Sequence, residues 1–195
     1  MSQPRAFIIH GYLSYPEEAW LPWLKVELEK KGYVVALPAM PSPDAPVISE
    51  WIAFVARLVG EPDGQTVMVG HSMGCQAVIR YLETLGVAGK AVARTVLVAG
   101  GFPPGLPAAE ADAKIGPKVL RPWFTTAVDA AEVKKAAGKC TVILSADDPY
   151  IDVPRATALL RAKLDPRFVI ESGKGHYNED DKVTELPAAL DAAIS

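Results

Sequence analysis

Six short stretches of this chain are apolar almost without interruption: RAFIIH at 5–10, YVVALP at 33–38, TVMVG at 66–70, RTVLVAG at 94–100, TVILSA at 141–146 and RFVIE at 167–171. A strand with one face in water alternates apolar and polar residues, whereas a strand covered on both faces does not. The runs therefore predict a sheet buried between two layers of helix. The intervening segments supply those helices. EEAWLPWLKVELEKKG carries Trp20, Trp23, Leu24 and Leu28 near 3–4 spacing and stops at Gly32. ISEWIAFVARLVG and CQAVIRYLETLG behave likewise, each ending at a glycine expected in the C-cap position. VPRATALLRAKL and LPAALDAAI add two more. Strand and helix alternate throughout, which defines a three-layer α/β class with a mainly parallel sheet.

One interval departs from that rhythm. Residues 101–128 contain four prolines before RPWF and no clean period. Such a segment inside a compact domain reads either as a lid or as a surface excursion that packs Trp123 and Phe124 onto the core.

The third run leads into GHSMGCQAV, where Gly70 and Gly74 flank Ser72 at the passage from strand to helix. A serine hydroxyl is a weak nucleophile and must be presented clear of its own backbone. The Gly-x-Ser-x-Gly elbow does this with a sharp, strained turn, and bulk at either glycine would collide across it. The turn also aims N–H groups at the start of the next helix towards developing negative charge. The competing reading is a serine that merely caps the helix. Cys75, one turn further on, reads as a small buried hydrophobe rather than as a second nucleophile.

On an elbow of this kind the acid and then the histidine follow the serine in the chain. Of the three histidines, His10, His71 and His176, only His176 comes after Ser72. It stands in SGKGHYNED, a glycine-rich loop after the sixth strand, where a general base at the carboxyl end of the sheet belongs. His71 is read as structural, its side chain leaving the elbow in another direction. His10 is expected to shape the loop after the first strand. The acid should lie in LSADDPYIDVP, with Asp147, Asp148 and Asp152 as candidates. Asp152 precedes a helix and reads as an N-cap. Spacing leaves Asp147 and Asp148 open: one orients His176 while the other hydrogen-bonds the turn.

Composition narrows the partners. Over 195 residues, enough for a single domain spanning 1–195, half of the side chains are hydrophobic and 22% charged. The net charge is −3 and lysines and arginines form no stripe, so neither nucleic acid nor a membrane surface is expected as a partner. Cys75 and Cys140 have neither metal-ligand spacing nor the look of a disulfide framework. A reducing cytoplasm is the expected setting. MSQPRAFIIHG has no basic region followed by a long apolar one, so export and membrane insertion are not indicated.

These pieces together resemble a known family. IIHGYLSYPEEAWLPWL, VGHSMGCQAV, SADDPY and GKGHYN look like the small α/β-hydrolase-fold serine hydrolases typified by retinoblastoma-binding protein nine and its bacterial relatives. The resemblance spans nearly the whole chain, in family order. It implies a strand order of 2-1-3-4-5-6 and no large cap domain. Family members place the acid immediately before a Pro-aromatic pair, which here selects Asp148, followed by Pro149 and Tyr150. The Leu-x-Cys-x-Glu motif of the human member is missing from this sequence, so a retinoblastoma-type interaction does not transfer.

The chemistry expected is acyl transfer to water on small esters, with amides and thioesters as variants, in the carboxylesterase class (EC 3.1.1). Ser72 is the nucleophile, His176 the base and Asp148 its orienting acid. The backbone N–H groups of Tyr12 and Met73 form the oxyanion hole. Tyr12, Phe102, Trp123, Phe124 and Tyr150 are the candidate pocket walls. No cofactor or metal is called for, the partner is a small molecule, and monomer and homodimer both stay open. Two other readings compete: a non-catalytic scaffold on the same fold, and an acyltransferase or perhydrolase using the same three side chains.

Overall fold

The computed structural model describes residues 3–101 and 118–195. Among these residues six strands form one sheet: β1 (Arg5–Ile9), β2 (Val34–Ala36), β3 (Thr66–His71), β4 (Arg94–Val98), β5 (Lys139–Ser145) and β6 (Arg167–Glu171). Their order is β2-β1-β3-β4-β5-β6, and every neighbouring pair is parallel. Among the described residues the helices are α1 (Leu21–Lys30), α2 (Ile48–Val59), α3 (Met73–Val87), α4 (Arg121–Thr125), α5 (Ala130–Ala136), α6 (Val153–Lys163) and α7 (Pro187–Ile194). None of them is long and apolar enough to cross a membrane.

Successive strand residues point to opposite faces, and both faces are covered. Ala6, Ile8, Val67, Val69, Val96, Val98 and Ile143 pack against Trp20, Leu21, Leu24 and Leu28 and against Ala189, Ala192 and Ala193 of α7. Phe7, Ile9, Met68, Leu97, Val142 and Leu144 pack against α2, α3, α5 and α6, through Trp51, Val55, Val78, Val133 and Leu160 among others. The unbroken apolar runs are thus explained for β1, β3, β4 and β5. The edge strands follow a different rule: Val34 on β2 and Ile170 on β6 are each about half exposed.

Three local expectations need correction. Helix α1 starts at Leu21, several residues later than the EEAW stretch suggests, with Pro22 in its first turn, where a missing N–H costs nothing. Helix α3 runs through Gly86 instead of ending there. A Cβ on Gly86 would stand 2.1 Å from the Glu132 carbonyl oxygen, so that glycine serves close contact with α5 rather than a cap. Helices α4 and α5 add to the five helices that the sequence predicts. The signal for α5 is Asp129, whose side chain accepts from the N–H groups of Ala131 and Glu132.

The end of the irregular interval is strapped to the core. Buried Arg80 donates through Nη2 to the carbonyls of Trp123 at 2.8 Å and Thr126 at 3.1 Å, and its guanidinium lies over the Trp123 ring. Trp123 is fully buried, with Nε1 donating to the Pro46 carbonyl and its ring edge-on to Trp51.

Candidate active site

The sheet order reverses at β1, whose neighbours are β2 on one side and β3 on the other. Parallel sheets bind ligands at the carboxyl ends of strands beside such a reversal. Ser72 stands there, directly after β3, with φ 52° and ψ −118°. A non-glycine residue holds that conformation only when its surroundings enforce it, at a cost on the order of 1–3 kcal/mol. Here the enforcement is visible. Ser72 N–H donates to Val98 O at 2.9 Å, and Ser72 O accepts from Cys75 N–H at 3.0 Å. A Cβ on Gly70 would lie 2.7 Å from Cys75 N, and one on Gly74 only 2.0 Å from Ile9 O. Both glycines are therefore required by backbone contact. The Ser72 hydroxyl makes no capping bond to α3, so the capping explanation fails.

The hydroxyl instead meets His176. Its oxygen is 2.8 Å from His176 Nε2, and His176 Nδ1 is 2.8 Å from Asp148 Oδ2. A carboxylate can only accept, so Nδ1 carries the ring proton and Nε2 presents its lone pair to the Ser72 O–H. The Asp148 side chain is wholly buried, and its Oδ1 accepts from Tyr150 N–H at 2.8 Å and Ile151 N–H at 3.1 Å. Every lone-pair direction used on that carboxylate is matched by a donor, which is what keeps a buried charge tolerable.

Asp147 has the other role left open in the sequence. It accepts from the Ser145 hydroxyl at 2.6 Å and from Gly173 N–H at 2.7 Å, with Gly175 N–H at 3.4 Å. These bonds, the Ser145 hydroxyl foremost, hold its carboxyl below the usual aspartate range. Asp147 thereby ties the turn after β5 to the loop that bears His176. Asp152 caps α6, accepting from Arg155 N–H at 3.0 Å.

The two remaining histidines are buried. His10 donates from Nδ1 to Gly11 O at 3.0 Å and accepts at Nε2 from Met40 N–H at 2.9 Å, so both nitrogens shape the loop after β1. Burial depresses its basicity. His71 donates from Nε2 to the carbonyl of His176 at 2.9 Å. Sequence reasoning missed this bond, and it also missed Asp181, which accepts from His176 N–H at 2.7 Å. Only the fold reveals Asp181: a Cβ on Gly175 would stand 2.0 Å from its carboxylate, so the close approach of this acid to the loop requires glycine there.

The loop after β1 lies over the elbow. A Cβ on Gly11 would stand 3.0 Å from Ser72 Cβ and 3.5 Å from Met73 N. Met73 N opens α3, where helix N–H groups lack intrahelical partners. Tyr12, next to Gly11, is half-buried. Tyr150 is 74% exposed and sets its ring edge-on to His176 with centroids 4.9 Å apart. Phe124 is half-buried against the core layer. Trp123 corrects the expected set of pocket walls, because its whole surface is used by the core contacts described above. Phe102 lies outside the described residues. Cys75 is fully buried, its Sγ 3.2 Å from Gly70 O and 3.3 Å from Val98 O, and burial pushes its thiol far above the ordinary value. That environment disfavours thiolate.

A parallel sheet in this order, with serine after β3, aspartate after β5 and histidine after β6, is that of an α/β-hydrolase without a large cap. The chain belongs to the serine hydrolase family, whose model matches residues 6–193. It is 28% identical over 191 residues to YdeN of Bacillus subtilis (strain 168), a protein named as a hydrolase, covering 98% of this chain and 95% of the relative. The crystal structure of the ydeN gene product superposes with a TM-score of 0.81 at 27% identity, covering 96% of this chain and 95% of that one. Est1E from Butyrivibrio proteoclasticus shares the fold at a TM-score of 0.70 and 15% identity, over 90% of this chain and 81% of its own. The protein is thus a hydrolase by family, and its reaction follows from the site.

Proposed function

We propose that the protein hydrolyses small carboxylic esters through an acyl-enzyme on Ser72, with amides and thioesters as alternative substrates. The observation that carries this reading is the unbroken relay of two 2.8 Å hydrogen bonds from Ser72 Oγ through the His176 ring to Asp148. Ser72 Oγ attacks the carbonyl carbon as Nε2 of His176 takes its proton. The imidazolium so formed is stabilised by Asp148, which remains ionised. The carbonyl oxygen gathers negative charge against the N–H of Met73 and that of Tyr12; one such donor is worth about 3 kcal/mol of barrier. His176 returns the proton to the leaving alkoxide, the C–O bond breaks, and the alcohol departs. Water, deprotonated by the same nitrogen, then attacks the acyl-serine and releases the acid.

Binding would rest on the exposed Tyr150 ring beside His176 and on Tyr12. Est1E has been solved with ferulic acid bound, an aryl acid on the same fold, which supports an acyl group of modest size. The test is turnover of a p-nitrophenyl ester series by the wild type and Ser72→Ala. The reading predicts fastest cleavage of the short-chain esters and loss of at least roughly 10³-fold in Ser72→Ala. Turnover that survives Ser72→Ala would refute the nucleophile, and a clear preference for long chains would refute the substrate class.

A further inference from the structure

We propose that His71 is a positioning residue for His176: carrying its proton on Nε2, it holds the His176 carbonyl and thereby sets the base over Ser72. This rests on the reading of His176 as the general base.

The residue between Gly70 and Ser72 closes β3 and turns its side chain inward, to 3% exposure. Packing alone would favour an apolar ring there. Instead the site holds an imidazole whose Nε2 donates to His176 O at 2.9 Å, while Nδ1 is buried without a partner. A buried, unmatched nitrogen is a cost that phenylalanine or leucine would avoid. What the imidazole gains in return is the bond to the histidine loop.

That loop is gripped at all four backbone polar atoms of two residues. His176 N–H donates to Asp181 and Tyr177 N–H to Lys174 O, while His176 O accepts from His71 and Tyr177 O accepts from Trp20 Nε1 at 3.1 Å. Tyr177 is held at φ 58°, a conformation that needs such support. Of the four partners only His71 belongs to the strand that delivers the nucleophile, one residue before it. Its bond therefore references base and nucleophile to the same strand end. The two imidazole centroids are 5.6 Å apart, so a neutral His71 also leaves His176 free to take the proton without a neighbouring cation.

The experiment compares His71→Phe, which keeps a ring and removes the donor, with His71→Gln, whose side-chain N–H reaches the Nε2 position. Both are measured as the full chain on p-nitrophenyl acetate, beside Ser72→Ala and His176→Ala. The expected result is a kcat lower by roughly 10- to 100-fold in His71→Phe with KM within about twofold, and recovery to within about threefold in His71→Gln. Wild-type turnover in His71→Phe, or equal losses in the two variants, would overturn the proposal. Undiminished turnover in His176→Ala would instead defeat the reading of His176 as base. Should His71→Phe not fold, ¹⁵N-histidine NMR of the wild type decides. The ring whose signals vanish in His71→Gln must be protonated at Nε2 and bare at Nδ1 at neutral pH. Protonation at Nδ1 would overturn the proposal.

Discussion

Acidification should weaken this fold through His71 in a measurable amount. An ordinary histidine titrates near 6.5, and His71 is lowered to about 4, chiefly by burial and next by the nearby charge of His176. The hydrogen bond to the His176 carbonyl and attraction from Asp148 oppose that fall, and His10 adds to it slightly. The unfolded chain therefore binds a proton at this residue as pH drops below 6.5, while the native protein resists until about 4. The stabilisation is present in full above 6.5 and is lost as pH falls to about 4. The whole interval corresponds to about 3 kcal/mol, of which about 2 kcal/mol is gone by pH 5. His10, also depressed by burial, moves in the same direction, so the wild type alone does not isolate one ring. The assay is urea unfolding at pH 8 and pH 5 for wild type and His71→Gln. The wild type should lose about 2 kcal/mol more than the variant across that range. Equal losses in the two proteins would refute the picture of a ring buried in its neutral form.

Two further outcomes follow from the geometry of the elbow and the acid. Gly74→Ala drives a Cβ to 2.0 Å from the Ile9 carbonyl and should lower stability in thermal unfolding by about 1–3 kcal/mol, or prevent folding. Gly64→Ala, with nothing within 4 Å of its Cβ, is the control and should change stability by less than about 0.5 kcal/mol. Asp148→Asn should reduce kcat on p-nitrophenyl acetate by roughly 10⁴-fold, because the imidazole loses the carboxylate that orients it. Asp147→Asn should retain most turnover, since Asp147 braces the Gly173 and Gly175 N–H groups rather than the ring.

The parts of the fold legible in the sequence are those decided by local pattern. The buried strands announce themselves as unbroken apolar runs, and the two glycines about Ser72 encode a backbone collision that any chain making this turn must avoid. What depends on a distant partner is not legible. Val34 and Ile170 read like Val67, yet they are half exposed because β2 and β6 end the sheet. Gly86 has the look of a cap until Glu132, on another helix, is brought against it. Asp147 and Asp148 are adjacent and chemically identical, and only the path of the chain after β5 turns one to the ring and the other to the glycine loop. Trp123 sits in a proline-rich stretch that suggested a pocket wall, and Arg80 and Pro46, remote in sequence, draw it into the core.

The most direct test of the central claim is intact-mass analysis after treatment with a fluorophosphonate. The account predicts a single phosphonyl group on the wild type, mapped to Ser72 by peptide sequencing, with none on Ser72→Ala and much slower labelling of His176→Ala. An adduct on another residue, or esterase turnover that persists once Ser72 is fully phosphonylated, would contradict it.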